Sequence, residues 1–504
     1  MSNKFFFGQS IILFLKSLLT SVLTLLTVRF LVEAFGIVEY GIFVLVSGVV
    51  VFISVFSQTL SLSVQRFFSV YIGKGDEIGL IKFFIRTIIL FLVLSIILVF
   101  MNEIVISRVF FHYTNFPFEH VIEARLVFRI LTFSVFFSVL SVPFVGMVLA
   151  KRNILFYSIL GIGDSGLKLL GSVIIGFLDV SALVTYPVWL AAVSFIYFIS
   201  VLSWCIIKYL KVSTFVRFRF GEMNELLKFS GWTFFGSLAG FFNQHGNAVA
   251  ANTYFGPSVN AFLGVSSQIN SALNLFSNSI FLATRPILIE LYSASRFKEV
   301  SDYLLIITKS SILLLLLIGI PLLVCMEFVV HFWLGKSFLG VLPYAKLMVC
   351  YNILFAMQAP ITSVVHASGK VRNYHLFVES IVLLAVPLSV VFFSFEYEAH
   401  YSIVSSIVVF SLAHIVRLFF LGKSLTFLLS KKLMNLYLFV VFFGYIVFLI
   451  LERIYIVLIS SIGNISAALV VFLFNLFIIS LVFLFFLFTK GERQFLIRYV
   501  KGLY

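Results

Sequence analysis

The sequence predicts an all-α polytopic membrane protein of about fourteen transmembrane helices. It predicts two six-helix lobes related by a pseudo-twofold along the membrane normal, plus a C-terminal helix pair. Three observations carry this. First, the 504 residues are 62% hydrophobic and 11% charged, less than half the roughly 25% charged content of soluble domains. Second, windows of about 20 apolar residues recur along the chain, as a hydrocarbon core of about 30 Å requires. Third, the two halves match at a constant shift of 220 residues. The turn-punctuated alternation of an outer-membrane barrel is absent.

The spans are expected at 9–32, 39–68, 83–101, 125–149, 154–177, 182–207, 230–253, 258–284, 303–326, 343–366, 375–395, 400–421, 435–456 and 462–488. Lys4 ahead of an apolar run has the look of a signal peptide. Lys16 interrupts that run and no small-residue cleavage site follows, so the segment is read as the first helix. Alternate loops carry the positive charge: Lys74 and Lys82, Lys151 and Arg152, Lys208 to Arg219, Arg296 and Lys298, Lys370 and Arg372, Lys423 to Lys432, then the tail from Lys490 to Lys501. The opposite loops hold mainly Arg108, Lys336 and Arg453, beside acids such as Glu33, Glu39, Asp179, Glu396 and Glu398. The positive-inside rule then places both termini in the cytoplasm. Much of the net charge of +15 is this topological signal, and nucleic-acid binding is not expected. Trp204 and Trp232 fall near one interface and Trp189 and Trp333 near the other, as in an aromatic belt. Cys205, Cys325 and Cys350 are too scattered for a disulfide framework or a metal site.

The repeat pairs Phe35-Gly36 with Phe255-Gly256, Phe56-Ser57-Gln58 with Phe276-Ser277-Asn278, and Arg152-Asn153 with Arg372-Asn373. Arg66 and Arg285 correspond to within one residue. Six spans per copy is an even number, so both copies share one orientation, and sites in such folds lie at the repeat interface. The chain divides into an N-lobe (1–210), a cytoplasmic linker (211–229), a C-lobe (230–422) and a C-terminal pair with tail (423–504).

A charge in hydrocarbon costs about 2.5–3.5 kcal/mol on insertion scales, so cations kept inside spans are candidates for a path or a partner. Arg29 and Lys346 lie close enough to span ends to snorkel. Lys16 and Lys168 lie deeper, Arg129 lies a turn into the fourth span, and Arg66 and Arg285 sit at equivalent places near the inner ends of the second and eighth spans. These five are the candidate anion-binding cations. Asp164 lies four residues before Lys168, where the two can pair, and is the first candidate for a coupling ion (H+ or Na+), with Glu290 and Glu379 behind it. Self-neutralisation of the pair is the plainer reading of Asp164 and Lys168. Asn260, Ser267, Asn270, Ser271, Asn274, Ser277 and Asn278 share one face of the eighth span, answered by Ser47, Ser54, Ser57 and Gln58 in the second. Such a stripe is either helix–helix glue or the wall of a hydrated cavity. Gln58, Asn274 and Asn278 are the candidates from it for substrate contact. His245 reads as a hydrogen-bonded core residue. No metalloprotease, P-loop or nucleophile-elbow motif is present. No loop is long enough for a soluble catalytic domain, so no enzyme and no cofactor are expected.

The run Phe35-Gly36-Ile37-Val38-Glu39-Tyr40-Gly41-Ile42-Phe43 looks like the "lG-x-x-x-YG-lf" turn of the polysaccharide flippases, and Ser57-Gln58 to Arg66 and Lys151-Arg152-Asn153 look typical of them too. On these residues the chain resembles the Wzx-like, O-antigen flippases of the multidrug/oligosaccharidyl-lipid/polysaccharide exporter superfamily. Drug-exporting branches rely on acids in the lobes, whereas this chain places bases there. The span number is similar to the lipid II flippase branch as well. The resemblance implies movement of an undecaprenyl-diphosphate-linked oligosaccharide from the cytoplasmic to the outer leaflet. It also implies the polymerase and chain-length proteins of the same pathway as partners. Arginine and lysine suit a diphosphate, and Ser, Asn and Gln suit sugar hydroxyls. Two other readings stay open. One is a drug or cation antiporter. The other is a polymerase or ligase that uses Arg108, His112 and His120 of a loop expected at 102–124.

Overall fold

The computed structural model describes residues 3–50, 61, 64, 65, 67–69, 71–178, 181–209, 237–367, 371–425, 427–483, 487, 488, 492 and 493; within these, the side chains of 3–11 and 277–287 are among those not described. The described residues are almost entirely helical, with no strand among them. Eleven helices among them are long and apolar enough to cross a membrane. This is compatible with the longer series expected, because spans two and seven run partly over undescribed residues and the polar stripe lowers the hydropathy of the eighth.

Helix α1 (Asn3–Val50) breaks at Gly36, which separates the first two expected spans. Helix α2 (Glu77–Met101) continues through a π-helical turn (Asn102–Ile106) into α3 (Ser107–Tyr113). The segment expected as a loop at 102–124 is therefore largely helix. Then come α4 (Val121–Ala150), α5 (Ile154–Ile175) and α6 (Ala182–Tyr209). A second π-helical turn (Phe242–Gly246) leads into α7 (Asn247–Phe255), followed by α8 (Pro257–Ser293). Next are α9 (Phe297–Val324), the short α10 (Met326–Leu334) and α11 (Leu342–Ala367). Helices α12 (Val371–Leu383) and α13 (Ala385–Ser394) form the eleventh span, broken at Leu384. Helices α14 (Tyr401–Ser424), α15 (Phe427–Ile462) and α16 (Asn464–Val482) complete the described chain.

The repeat is visible in the backbone. Gly36 and Gly256 adopt the same left-handed conformation (φ 69°, ψ −175° and φ 80°, ψ −175°), which favours glycine because a Cβ is crowded there. At the next turn Gly75 (φ 71°) is matched by Ser295 (φ 57°). The hydrogen bonds repeat residue for residue. Asp76 and Arg296 donate to the carbonyls of Tyr71 and Leu291 (3.2 and 3.0 Å), and Gly75 and Ser295 donate to Ile72 and Tyr292 (3.1 and 3.0 Å). Both are the C-terminal closure in which two orphan helix carbonyls are satisfied by the residues that leave the helix. Arg152 (φ 58°) is left-handed, whereas its partner Arg372 starts a helix, so the third matched turn is similar in sequence only.

After the two glycine breaks, helix 37–50 meets the start of α8. A Cβ on Gly41 would collide with the Pro257 carbonyl and lie 3.2 Å from the Ala261 nitrogen, and one on Gly264 would lie 2.7 Å from Val44 Cγ2. Gly41 and Ala261, like Val44 and Gly264, are repeat equivalents. Residues touch their own equivalents only beside a two-fold axis, so these two segments are related by a local two-fold.

Contacts divide the described chain into two compact units: Met1–Gly264 with Val386–Ser402, and Val265–Ala385 with Ile403–Tyr504. The first is knit by aromatic contacts, as where Phe68 meets Phe83 and Phe84 edge-on (5.7 and 5.6 Å) and Phe84 meets Phe144 (5.6 Å). In the second, leucines and isoleucines of α9 pack with α15 and α16 around Ile312, Leu316, Leu433, Leu451 and Val471. One proline there frees a backbone carbonyl that the C-terminal pair satisfies. Pro321 has no N–H for Leu317, and Asn475 of α16 donates to Leu317 and Leu316 instead (3.0 and 3.2 Å). Tyr437 of α15 also donates to the Met357 carbonyl of α11 (3.1 Å). In lipid no water is at hand for a freed carbonyl, so a neighbouring helix must supply the donor.

Candidate functional site

Helix α5 starts after the left-handed Arg152 and the cap residue Asn153. Along it Tyr157, Gly161, Asp164 and Lys168 follow at steps of four, three and four, which puts them on one face. Helix α1 packs on that face. Lys16 extends across Gly161, where a Cβ would displace its Cε and lie 3.0 Å from its Nζ. Its ammonium rests 3.8 Å from the centre of the Tyr157 ring, a cation–π contact that partly replaces lost hydration. Farther along the face Lys168 donates to Asp164 at 2.7 Å, with the side chains 39% and 21% exposed. The face therefore carries two ammonium groups and one carboxylate, a net positive charge that suits an anion.

Gly171 gives α6 close access to this helix: the Trp189 ring occupies the space its Cβ would take, and the indole N–H donates to the Leu167 carbonyl at 2.8 Å. Trp189 thus locks α6 to α5. Trp204 stacks on Phe156 at 4.0 Å, with Lys208 over its ring at 4.4 Å.

The structure sets Lys16 over the Tyr157–Gly161 stretch of α5, pairs Asp164 with Lys168 farther along the same face, and places the other candidates elsewhere. Arg129 lies 3.5 Å from Glu103, with its side chain 72% exposed, among residues of α3 and α4. Gln58 and Arg66 lie outside the described residues, and Asn278 and Arg285 are on α8 with undescribed side chains. Asn274 is half-buried on α8, and Glu290 is exposed near its end. Glu379 sits 3.5 Å from His375, both well buried within the second unit. The polar stripe is in part glue: Asn352 of α11 donates to the Asn270 side-chain oxygen at 2.7 Å. Asn260, from the same stripe, is fully buried. His245 is half-buried, with its ring tilted against Phe241 at 4.6 Å.

Sequence reasoning passed over Arg86, which is buried, and two further cations whose partners lie far along the chain. Arg417 is 4% exposed and donates to the Tyr374 hydroxyl, which in turn meets Thr362 (3.3 and 2.8 Å). Lys309 donates to both oxygens of Glu492 and to the Leu487 carbonyl (2.8 to 2.9 Å). Both sit near span ends, where a basic residue reads as an ordinary anchor, and their partners are remote in sequence.

No family profile and no curated protein sequence matches the chain. Solved structures do. The lipid II flippase MurJ in an inward closed conformation superposes with a TM-score of 0.69 over 95% of this chain and 98% of that one, at 15% identity. This protein has that fold. A multidrug resistance MATE family transporter of the MOP superfamily, inward-facing, matches at TM-score 0.60 over 85% and 95% of the two chains, at 15% identity. The MATE multidrug transporter DinF-BH matches at TM-score 0.58 over 82% and 95%, at 13% identity.

Proposed function

We propose that the protein is a flippase that moves an undecaprenyl-diphosphate-linked oligosaccharide, such as an O-antigen or related repeat unit, from the cytoplasmic to the outer leaflet by alternating access. The observation that carries the reading is the α1–α5 face: Lys16 over Tyr157 and Lys168 beside Asp164 within a transporter fold. Cations held in spans suit a diphosphate, with its negative charge and many acceptors. Lys168 is half neutralised by Asp164. Capture of H+ or Na+ by Asp164 would release that ammonium for the substrate, so the pair is a means of coupling. Arg66 and Arg285, with Gln58, Asn274 and Asn278, are proposed to contact the same substrate, with both termini in the cytoplasm of a bacterial inner membrane. The polymerase and chain-length proteins of the pathway would take the product onward.

A lipid II-type substrate is the second reading. The likeness to MurJ favours it, because it spans 95% of the chain against 85% for the MATE transporter. A leaflet-resolved analysis of lipid-linked glycans in a deletion strain tests both. Single repeat units held in the cytoplasmic leaflet, relieved by the wild-type gene but not by Arg66→Ala or Arg285→Ala, are the expected result. Lipid II held there instead would favour the second reading, and accumulation in the outer leaflet would point to a polymerase. Normal glycan in both arginine variants would remove those residues from the site.

A further inference from the structure

A second cationic site lies where α3 meets the start of α4, away from the α1–α5 face. Ser107, Arg108, Phe111, His112, Arg125 and Arg129 line a pocket of about 300 Å³. Arg125 stands over the Phe111 ring at 5.4 Å. Glu103 offsets one charge through its contact with Arg129. Among the described residues no carboxylate pairs with Arg108 or Arg125. Three guanidinium groups around one pocket repel one another unless an anion is shared between them, and their forked donors fit phosphate oxygens.

Depth names the source of that phosphate. The helical segments here run 37 residues (Glu77–Tyr113) and 33 residues (Phe118–Ala150), about 55 and 50 Å at 1.5 Å per residue. The hydrocarbon core is about 30 Å thick, so both segments project well into the headgroup layers. Arg108 lies five residues before the end of α3, and Arg125 and Arg129 lie four and eight residues after the start of α4. That is roughly 6 to 12 Å from the helix ends, the level of lipid phosphates. We propose that this pocket binds the phosphate of a net-anionic lipid headgroup in the leaflet facing the turn at 114–117. The site is separate from the transported substrate and does not depend on its identity.

The test uses the full-length protein in nanodiscs, read by thermal unfolding and by lipids retained in native mass spectrometry. Phosphatidylglycerol in place of phosphatidylcholine should raise the midpoint of the wild type and leave retained anionic lipid. Both effects should be lost in Arg108→Gln/Arg125→Gln and persist in Lys16→Gln. Ser107→Phe fills the pocket without changing charge and should lose them too, which guards against a misfolded double variant. Equal effects in wild type and both pocket variants would overturn the proposal. So would an equal shift from inorganic phosphate in phosphatidylcholine discs, which would mark a soluble anion as the ligand.

Discussion

Lys16 and Gly161 form a matched pair. The lysine stem lies in space that only glycine leaves open, and the ammonium is set over Tyr157 as a result. A charge-assisted contact is worth about 1.5–3 kcal/mol, so Lys16→Ala should lower transport at least about tenfold. Lys16→Arg should keep more of it. Gly161→Val should resemble Lys16→Ala while folding normally, because the atom it meets is the far end of a flexible side chain. A leaflet-resolved glycan assay on the three variants, with expression checked, measures this. Wild-type transport in Gly161→Val would show that the placement of Lys16 is immaterial. The depth of Lys16, and the spacing of Asp164 and Lys168, were legible in the sequence. That Lys16 packs against Tyr157 and Gly161 of α5 was not, because nothing local encodes which helix packs on which.

At the scale of the helix, Pro321 explains how α16 is attached. Asn475 donates to the carbonyl that Pro321 leaves without a partner. Asn475→Leu should destabilise the protein by about 1–2 kcal/mol. In a Pro321→Ala background the same change should cost much less, because the alanine restores the N–H for Leu317. Thermal unfolding of the four proteins in detergent gives the coupling, and simple additivity would show that the two residues act independently. The glycine breaks at 36 and 256 and the turns at 75 and 295 could be aligned from the sequence, and their shared backbone angles make the repeat physical. The continuation of α2 to Tyr113 could not be read, since Asn102 and Glu103 look like the start of a loop. Asn102 is in fact buried and donates to Thr132.

Across the whole molecule, residues near the C-terminus are tied to the second unit through Lys309 and Glu492, whose side chains are 12% and 13% exposed. Removing one member of a buried pair costs about 3–5 kcal/mol, because the other charge is stranded. Glu492→Ala should therefore lower the unfolding midpoint, and adding Lys309→Met should recover most of the loss. Calorimetry on the purified protein checks this; a double variant as unstable as the single one would count against an isolated pair.

The membrane class, the helix succession and the two-fold repeat can all be read from the chain alone. These follow from composition, apolar length and local backbone chemistry, which a chain carries wherever it folds. Which charges meet is a matter of how the helices pack. That packing set Lys16 against α5, moved Arg129 to Glu103 and the basic pocket, and buried Arg417 and Lys309 against distant partners. Inside a bilayer a cation needs a partner from another helix, and the identity of that helix is a property of packing.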